Sequence, residues 1–311
     1  MKVVDLFAGC GGLSLGFQNA GFDIVAAFDN WDASIEVYRK NFSHPIIKED
    51  LSDIVKSTND IRLFCPDIII GGPPCQDFSS AGKRNEDNGR GDLTVCYAKI
   101  ISKIKPQWFV MENVERILKT NKLVEAKKIY KEAGYGLTQM VLDASLCGVP
   151  QKRKRFVLIG KIGEKDGFMD FSLSKNISKK EMTMFDYFGH SLGVEYYYRH
   201  PRSYARRGIF SIYEPSPTIR GVNRPMPKGY VLHNGDPVSS LENIRPLTTK
   251  ERSMVQTFPN NFEFFGTKTD IEQMVGNAVP VNLAEFIANA ISGYISNPQE
   301  KNQKMQLSLF K

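Results

Sequence analysis

Short apolar runs alternate with segments of helical periodicity through the first half of the chain, and no other feature limits the fold as strongly. The runs are Val3 to Phe7, Ile24 to Phe28, Asp67 to Ile70, Trp108 to Glu112, Leu137 to Leu142 and Phe156 to Ile159. Helical patterns fall near Leu13 to Ala20, Ala33 to Asn41, Cys96 to Ile104 and Leu123 to Ala133. Strands that take turns with helices predict an α/β fold, in which crossover helices cover a mostly parallel sheet.

From about Phe171 the rhythm stops, and Tyr/Arg/Pro-rich irregular sequence runs to about Thr267. A helical pattern returns in "VPVNLAEFIANAIS", with Pro280 near its start. The expected organisation is a first domain over 1–170, a second of different character over 171–267, a C-terminal segment over 268–296 that returns to the first, and a polar tail over 297–311. The chain has 311 residues, enough for one large core and a smaller one. No apolar run reaches membrane-spanning length, and "MKVVDLF" enters a strand directly, so a cytoplasmic protein is expected. Five cysteines without a Cys-x-x-Cys pair, and four scattered histidines, give no reason to expect a disulfide framework or a structural zinc.

The net charge is +7. Between Tyr196 and Tyr230, seven basic residues (Arg199, Arg202, Arg206, Arg207, Arg220, Arg224, Lys228) face one acid, Glu214, so that window alone carries +6. Tyr196, Tyr197, Tyr198, Tyr204, Phe210 and Tyr213 are interleaved with the charges. Such a mixture suits a surface that neutralises phosphates and contacts bases, although a charge run by itself also describes a solvated face.

Candidate ligand-binding residues gather at the ends of the apolar runs. In "DLFAGCGGLSLGF", Gly9, Gly11 and Gly12 permit a tight turn and a close ligand approach at a helix N-terminus. The spacing is not G-x-G-x-x-G, because position 14 is Ser, which argues against a dinucleotide oxidoreductase. The next strand ends in "FDNWD", where Asp29 or Asp32 could bond a ribose or simply cap the following helix.

In "DIIIGGPPC" a buried strand ends in Gly71, Gly72, Pro73 and Pro74, which present Cys75 at the sheet edge where such folds bind substrates. A thiol reacts only as thiolate, so Cys75 needs a partner. Cys10, Cys65, Cys96 and Cys147 read as buried structural cysteines. One strand on, "PQWFVMENVERI" ends an apolar run in Glu112 and Asn113, a costly place for a carboxylate unless it is used or paired. A helix cap at Asn113 with an incidental Glu112 is the plainer alternative. In "VPQKRKRFVLIG", Gln151, Arg153 and Arg155 alternate at a strand entrance and so are expected to share one face.

These segments, in this order, resemble the C5-cytosine-specific DNA methyltransferases of bacterial restriction-modification systems. The resemblance rests on "DLFAGCGGLSLGF", "GGPPCQDFS", "ENV", Gln-x-Arg-x-Arg, "RPLTTKERSMVQTFP" and "MVGNAVPVNLA", and spans Val4 to about Ile291, with the middle domain loosely matched. It implies a Rossmann-like S-adenosylmethionine-dependent methyltransferase sheet with a smaller, irregular target-recognition domain. It also implies that Cys75 attacks C6 of a cytosine flipped out of double-stranded DNA. Glu112 would hydrogen-bond N3 and the exocyclic amine, and Arg155, with Arg153 close by, would hold O2. The loop after Cys75 is expected to close over DNA, with Ser79 and Arg90 as backbone contacts.

For S-adenosylmethionine the resemblance suggests Phe7 against the adenine, Gly9 and Gly11 near the methionine moiety, and Asp50 at the adenine amine. Trp31, Leu51, Pro74, Asn277 and Ala278 would line the pocket. The position before the aromatic in "DNWD", often acidic in the family, is Asn30 here, which passes the ribose role to Asp29. "SPTIRG" resembles the target-recognition signature, with Thr218 and Ile219 at its centre. Arg206, Arg207, Arg220 and Arg224 are base-reading candidates because Arg pairs bidentately with guanine.

Two other readings use the same residues: a tRNA cytosine methyltransferase of the same fold, and an inactive DNA-binding regulator. A monomer is expected. After Ser296 the composition turns polar, yet the chain closes on Gln306, Leu307, Ser308, Leu309 and Phe310. "QLSLF" looks like the pentapeptide with which bacterial proteins dock on the replication sliding clamp. Folding of Leu307, Leu309 and Phe310 back onto the catalytic domain is the alternative.

Overall fold

In the computed structural model, residues 1–74, 92–203 and 205–297 are described. They form two compact units: Met1–Leu142 with Lys154–Ile177 and the chain from Ala284, and Asp143–Arg153 with Ser178–Leu283.

The first unit is built on the apolar runs. β1 (Lys2–Leu6), β2 (Asp23–Asp29), β3 (Ile46–Lys48), β4 (Ile68–Gly71), β5 (Trp108–Val114), β6 (Tyr135–Asp143) and β8 (Lys154–Ile162) make a seven-stranded sheet in the order β3-β2-β1-β4-β5-β8-β6. β1 pairs in parallel with β2 and β4, and β2 with β3 and β4 with β5 do the same. β8 runs antiparallel to β5. The order reverses beside β1, so the loops that leave β1, β2, β4 and β5 open at one edge of the sheet. The expected α/β sheet with its six strands is present.

Two elements between α2 (Asp32–Asn41) and β4 escaped the sequence reading. β3 is three residues long, and α3 (Ile54–Arg62) buries only Ser57, Thr58 and Ile61, so neither carries a clear apolar period. What holds α3 is its cap, the Asp53 side chain accepting from the Lys56 amide at 3.1 Å. Asp92 and Thr120 cap α4 (Leu93–Ile104) and α5 (Asn121–Glu132) in the same way. α1 (Gly12–Asn19) and α2 (Asp32–Asn41) fall where the periodicity places helices, while α6 (Asp170–Ser174) is a short turn near the end of the unit's second segment. Cys10, Cys96 and Cys147 are buried, but Cys65, expected inside, is exposed. It follows the end of α3 with φ 46, and this turn faces it outward.

Core packing is tight around β5. Phe109 stacks on Tyr130 with centroids 4.1 Å apart and meets Tyr135 edge-on at 5.1 Å. α10 (Val281–Ser296) enters this unit from Ala284, where Glu285 accepts from Asn19 and Tyr294 lies edge-on to Trp108.

The second unit has little regular structure. β9 (Tyr196–Tyr198) pairs antiparallel with β10 (Ile209–Ser211) and parallel with β12 (Arg245–Pro246), while β7 (Gln151–Lys152) pairs with β11 (Ser216–Pro217). α7 (Met184–Phe188), α8 (Thr249–Val255) and α9 (Lys268–Asn277) complete it. α8 lies within the stretch read as irregular, although its capping box, Thr248 with Glu251, is spelled out in "TTKE". The sequence placed the chain's return near 268; the structure places it at 284. The reason is that Val275 of α9 is buried with Val255, Leu247, Ile219 and Tyr197, so α9 belongs to the second core. No helix among the described residues is long and apolar enough to cross a membrane.

Gly160 on β8 tests the packing around β5. A Cβ at that position would overlap the Phe109 ring, which Tyr130 and Tyr135 keep from moving aside. Gly160→Ala should therefore destabilise the protein by about 1–3 kcal/mol, the usual cost of overpacking a filled core. Chemical denaturation measures this, and an unchanged midpoint would show that the β5 face yields.

Candidate active site

The turn after β1 is the first part of the site. Phe7 takes a left-handed φ of 59, which costs a residue with a side chain about 1–3 kcal/mol and persists only where neighbours over-determine it. Gly9 and Gly11 follow with φ of 54 and 95. A Cβ on Gly11 would run into the Phe42 ring, whereas one on Gly9 would point into open space. Asp29 holds this turn. Its Oδ2 accepts from the Gly9 amide at 2.8 Å, and its Oδ1 accepts from the Trp31 amide at 2.8 Å and the Ser34 hydroxyl at 3.2 Å. The carboxylate that was expected to bond a ribose holds the loop here, and Asn30 beside it is exposed.

α1 lacks a side-chain cap at Gly11. Asp5 serves from inside the sheet instead, accepting from the Ser14 hydroxyl at 2.7 Å and from the Ser14 amide. Tyr38 donates to the same hydroxyl at 2.7 Å and lies 2.6 Å from His44 Nε2. Asp5 is fully buried, and desolvation raises its pKa to about 7 despite the Ser14 bonds. This chain of buried polar groups was not read from the sequence, since "VVDLF" shows Asp5 only as a polar break in a strand. Asp50 is exposed and Leu51 buried just beyond β3, with Asp50 Oδ1 accepting from the Ser52 amide and hydroxyl.

The second part lies at the ends of β4 and β5. Glu112 and Arg155 both belong to the first unit, on neighbouring strands. Glu112 stands opposite Val157, so Arg155 is its diagonal neighbour on the same face of the sheet. Glu112 Oε1 is 2.8 Å from Arg155 Nε, with side chains only 9% and 13% exposed. Burial lowers the pKa of the guanidinium, and the Glu112 charge opposes that shift. A Cβ on Gly71 would press on the Leu6 carbonyl and the Tyr97 ring, so glycine is required there by close approach, while one on Gly72 would stand 3.2 Å from Glu112 Oε2, a tight contact. Asn113 is buried and caps no helix. Its Nδ2 donates to the Pro73 carbonyl at 2.8 Å, and its Oδ1 accepts from the Val114 amide. The backbone is thereby held two residues ahead of Cys75. Cys75, Ser79 and Arg90 lie outside the described residues, as do Tyr204 and the segment Gln306 to Phe310.

The third part belongs to the second unit. Gln151, Arg153 and Arg155 do not share one environment as expected, because β7 ends at Lys152 and β8 begins at Lys154. Arg153, 1% exposed, donates to the carbonyls of Ile219, Gly276 and Ala278 at 2.9–3.0 Å. Gln151 accepts from the Ile219 amide and donates to Gln256, which in turn donates to the carbonyls of Val275 and Ala278. These groups fasten "SPTIRG" and "VGNA" in place. Arg153 is therefore a bracing residue that ties these two segments together. Thr218 is tied in as well, its hydroxyl donating to the Lys152 carbonyl and its own carbonyl accepting from Arg199. Asn277 is exposed at the end of α9, and Ala278 follows it.

Residues 1–293 match the model of the family described as C-5 cytosine-specific DNA methylase. The chain is 59% identical over 299 residues to the Type II methyltransferase M.HindV of Haemophilus influenzae, a match covering 96% of this chain and 98% of that protein. It is 53% identical over 310 residues to M.HgiDI of Herpetosiphon aurantiacus, over the full length of both. Among solved structures, the Dnmt2 methyltransferase of S. pombe is similar with a TM-score of 0.70 at 18% identity, over 95% of this chain and 98% of that one. A putative DNA modification methyltransferase from an E. coli prophage gives 0.67 at 21%, over 96% and 100%. These two structures share the fold.

Asp5 supplies a pH test of the turn. Its pKa is raised on folding from 3.8 to about 7, so its contribution to stability is complete below the unfolded value and is lost as pH rises through the folded one. Relative to Asp5→Asn, the native protein should lose up to about 1.4 kcal/mol of stability per pH unit between about pH 5 and pH 7, and level off above that. Denaturation of both proteins across this range measures it. A difference independent of pH would show that Asp5 stays charged.

Proposed function

The chain belongs to the C5-cytosine-specific DNA methylase family, and on that premise we propose that it methylates C5 of a cytosine flipped out of a specific double-stranded DNA sequence, through a covalent bond from Cys75 to C6. The enzyme is a DNA cytosine-5 methyltransferase of restriction-modification type. The observation that carries the mechanism is the buried Glu112–Arg155 pair beside Gly72, next to the Asn113 hold on the Pro73 carbonyl.

The turn after β1 fits S-adenosylmethionine. A Cβ on Gly9 would stand in open space at the sheet edge, Phe7 is held in a strained conformation there, and exposed Asp50 lies just beyond β3. Phe7, Gly9, Gly11, Trp31, Asp50, Leu51 and Pro74 are the residues of the first unit that would hold it. Asp29 would act through the loop rather than on the ribose. When bound, the cofactor supplies the methyl group as an electrophilic carbon on a sulfonium.

Cytosine C5 is a poor nucleophile until C6 is saturated. The Cys75 thiolate forms an S–C6 bond, the electron pair of the C5–C6 double bond moves into the ring, and N3 takes a proton from Glu112, which has to take one up from solvent before the addition. Arg155 then faces the carboxylate that remains, so the charge leaving the thiolate comes to rest in an ion pair rather than on the base. Once C5 carries the methyl group, N3 returns its proton to Glu112, water takes the proton on C5, and the electron pair left on C5 expels Cys75 as thiolate and releases 5-methylcytosine. A stacked base is out of reach of these groups, which is why the target must leave the helix. DNA rather than tRNA is the substrate, in keeping with the family and with the charge between Tyr196 and Tyr230.

Cys75→Ser should abolish methyl transfer while leaving DNA binding intact. DNA carrying 5-fluorocytosine at the target should give the wild type a denaturation-resistant complex only when S-adenosylmethionine is present, because fluorine cannot leave as a proton does. Turnover by Cys75→Ser, or no trapped complex, would falsify the covalent step. Glu112→Gln should slow single-turnover methylation by roughly two to four powers of ten, the range for a positioned acid-base group. An unchanged rate would remove Glu112 from the reaction.

A further inference from the structure

The arginines of the second unit divide sharply by what holds them. Arg199 donates to the Thr218 carbonyl, Arg220 to the His200 carbonyl, and Arg252 pairs with Glu272, all within the unit. Arg207 is paired with Glu214 and lies over the Phe210 ring. Among the described residues, the guanidinium groups of Arg202, Arg206 and Arg224 alone in the stretch from Arg199 to Arg224 have no such partner. Arg202 and Arg224 belong to a cluster. Burial lowers the Arg220 pKa, and the charges of Arg202 and Arg224 lower it further. Cations that repel one another in this way call for a phosphate.

Arg206 has a different setting. It lines a cleft of about 440 Å³ with His233, between walls formed by Pro201, Pro227, Val231 and Leu232. The floor of the cleft is fixed. Asp236 accepts from the Gly208 and Ile209 amides, the His233 amide and the Tyr230 hydroxyl. Against the desolvation that burial imposes, these donors hold its carboxyl below the ordinary range. The His233 ring is oriented as well, because its Nδ1 accepts from the Gly235 amide at 2.9 Å. In the neutral ring the proton is therefore on Nε2, and the side chains of Arg206 and His233 offer the cleft N–H donors only.

We propose that this cleft is a specificity site that reads a guanine of the DNA target through Arg206, with His233 as a second donor. A donor-only pair between apolar walls fits an edge with two acceptors. Guanine presents O6 and N7, whereas adenine and cytosine each present an amino donor and thymine a single acceptor. This assignment rests on the reading of the chain as a methyltransferase of double-stranded DNA. It separates Arg206 from Arg207 and Arg220, which position the loop, and from Arg224, which meets the backbone.

The test is selection of bound duplexes from a randomised pool by the full-length wild type, Arg206→Ala, His233→Ala and Arg224→Ala, followed by methylation assays on the selected duplexes. Arg206 is exposed and His233 half-buried, so the variants should keep the wild-type melting temperature. The wild type should select guanine at a position where Arg206→Ala loses roughly five- to 150-fold of the preference, with an unchanged salt slope. His233→Ala should weaken the preference at the same position. Replacing that guanine by 7-deazaguanine, which lacks the N7 acceptor, should weaken the wild type but not Arg206→Ala any further. Arg224→Ala should lower binding to all sequences and reduce the salt slope by about one. An Arg206→Ala protein that keeps every base preference, or that loses affinity uniformly with a shallower salt slope, overturns the assignment. Selection needs no methyl transfer, so a wild type that selects guanine yet methylates no cytosine removes the reaction and leaves the cleft standing.

Discussion

The antiparallel pairing of β5 with β8 carries the candidate active site. A carboxylate at the end of an apolar strand is tolerable only with a partner, and this register supplies one, because Arg155 falls diagonal to Glu112 across the ladder. Consequences spread from that contact. Glu112 reaches close to Gly72, where a Cβ would stand 3.2 Å from its Oε2, and Asn113, the next residue, turns its amide onto the Pro73 carbonyl. Two strands thereby determine the backbone from which Cys75 departs. The remainder of the sheet buries these strands and keeps them in register.

The second unit solves a related problem with different groups. It has few backbone ladders, so buried side chains supply the hydrogen bonds that regular structure would otherwise provide. Arg153, Gln151 and Gln256 satisfy the carbonyls and amides of 219 and 275–278, and Arg252 does the same for Arg220 while paired with Glu272. Arginine suits this task because its fork carries five donors in a fixed plane. The cost is that half of the arginines between Arg199 and Arg224 are committed to the protein, which leaves three for DNA.

Much of the fold was legible because apolar periodicity and turn chemistry act locally. The six strands, the main helices and the glycine turn after β1 follow from patterns a few residues long, and the order of motifs pointed to the family. α3 and β3 were missed because their stability comes from a cap and from sheet pairing rather than from an apolar face. The bonds by which Asp29 holds the turn after β1 were missed for a similar reason. A carboxylate at the end of β2 looks the same in sequence whether it meets a ligand or the Gly9 amide twenty residues earlier.

The sequence by itself determined the α/β class, the candidate catalytic residue types and the concentration of positive charge between Tyr196 and Tyr230, since each depends on composition or short-range spacing. Tertiary structure alone decided how alternating residues of one segment divide, with Arg153 satisfying backbone carbonyls of the second unit and Arg155 pairing with Glu112 in the first. It also decided which arginines are free. Identical side chains in one basic run differ only in whether a carbonyl or carboxylate from a distant part of the chain lies within hydrogen-bonding distance. That is set by the folded path of the backbone, and no local pattern encodes it.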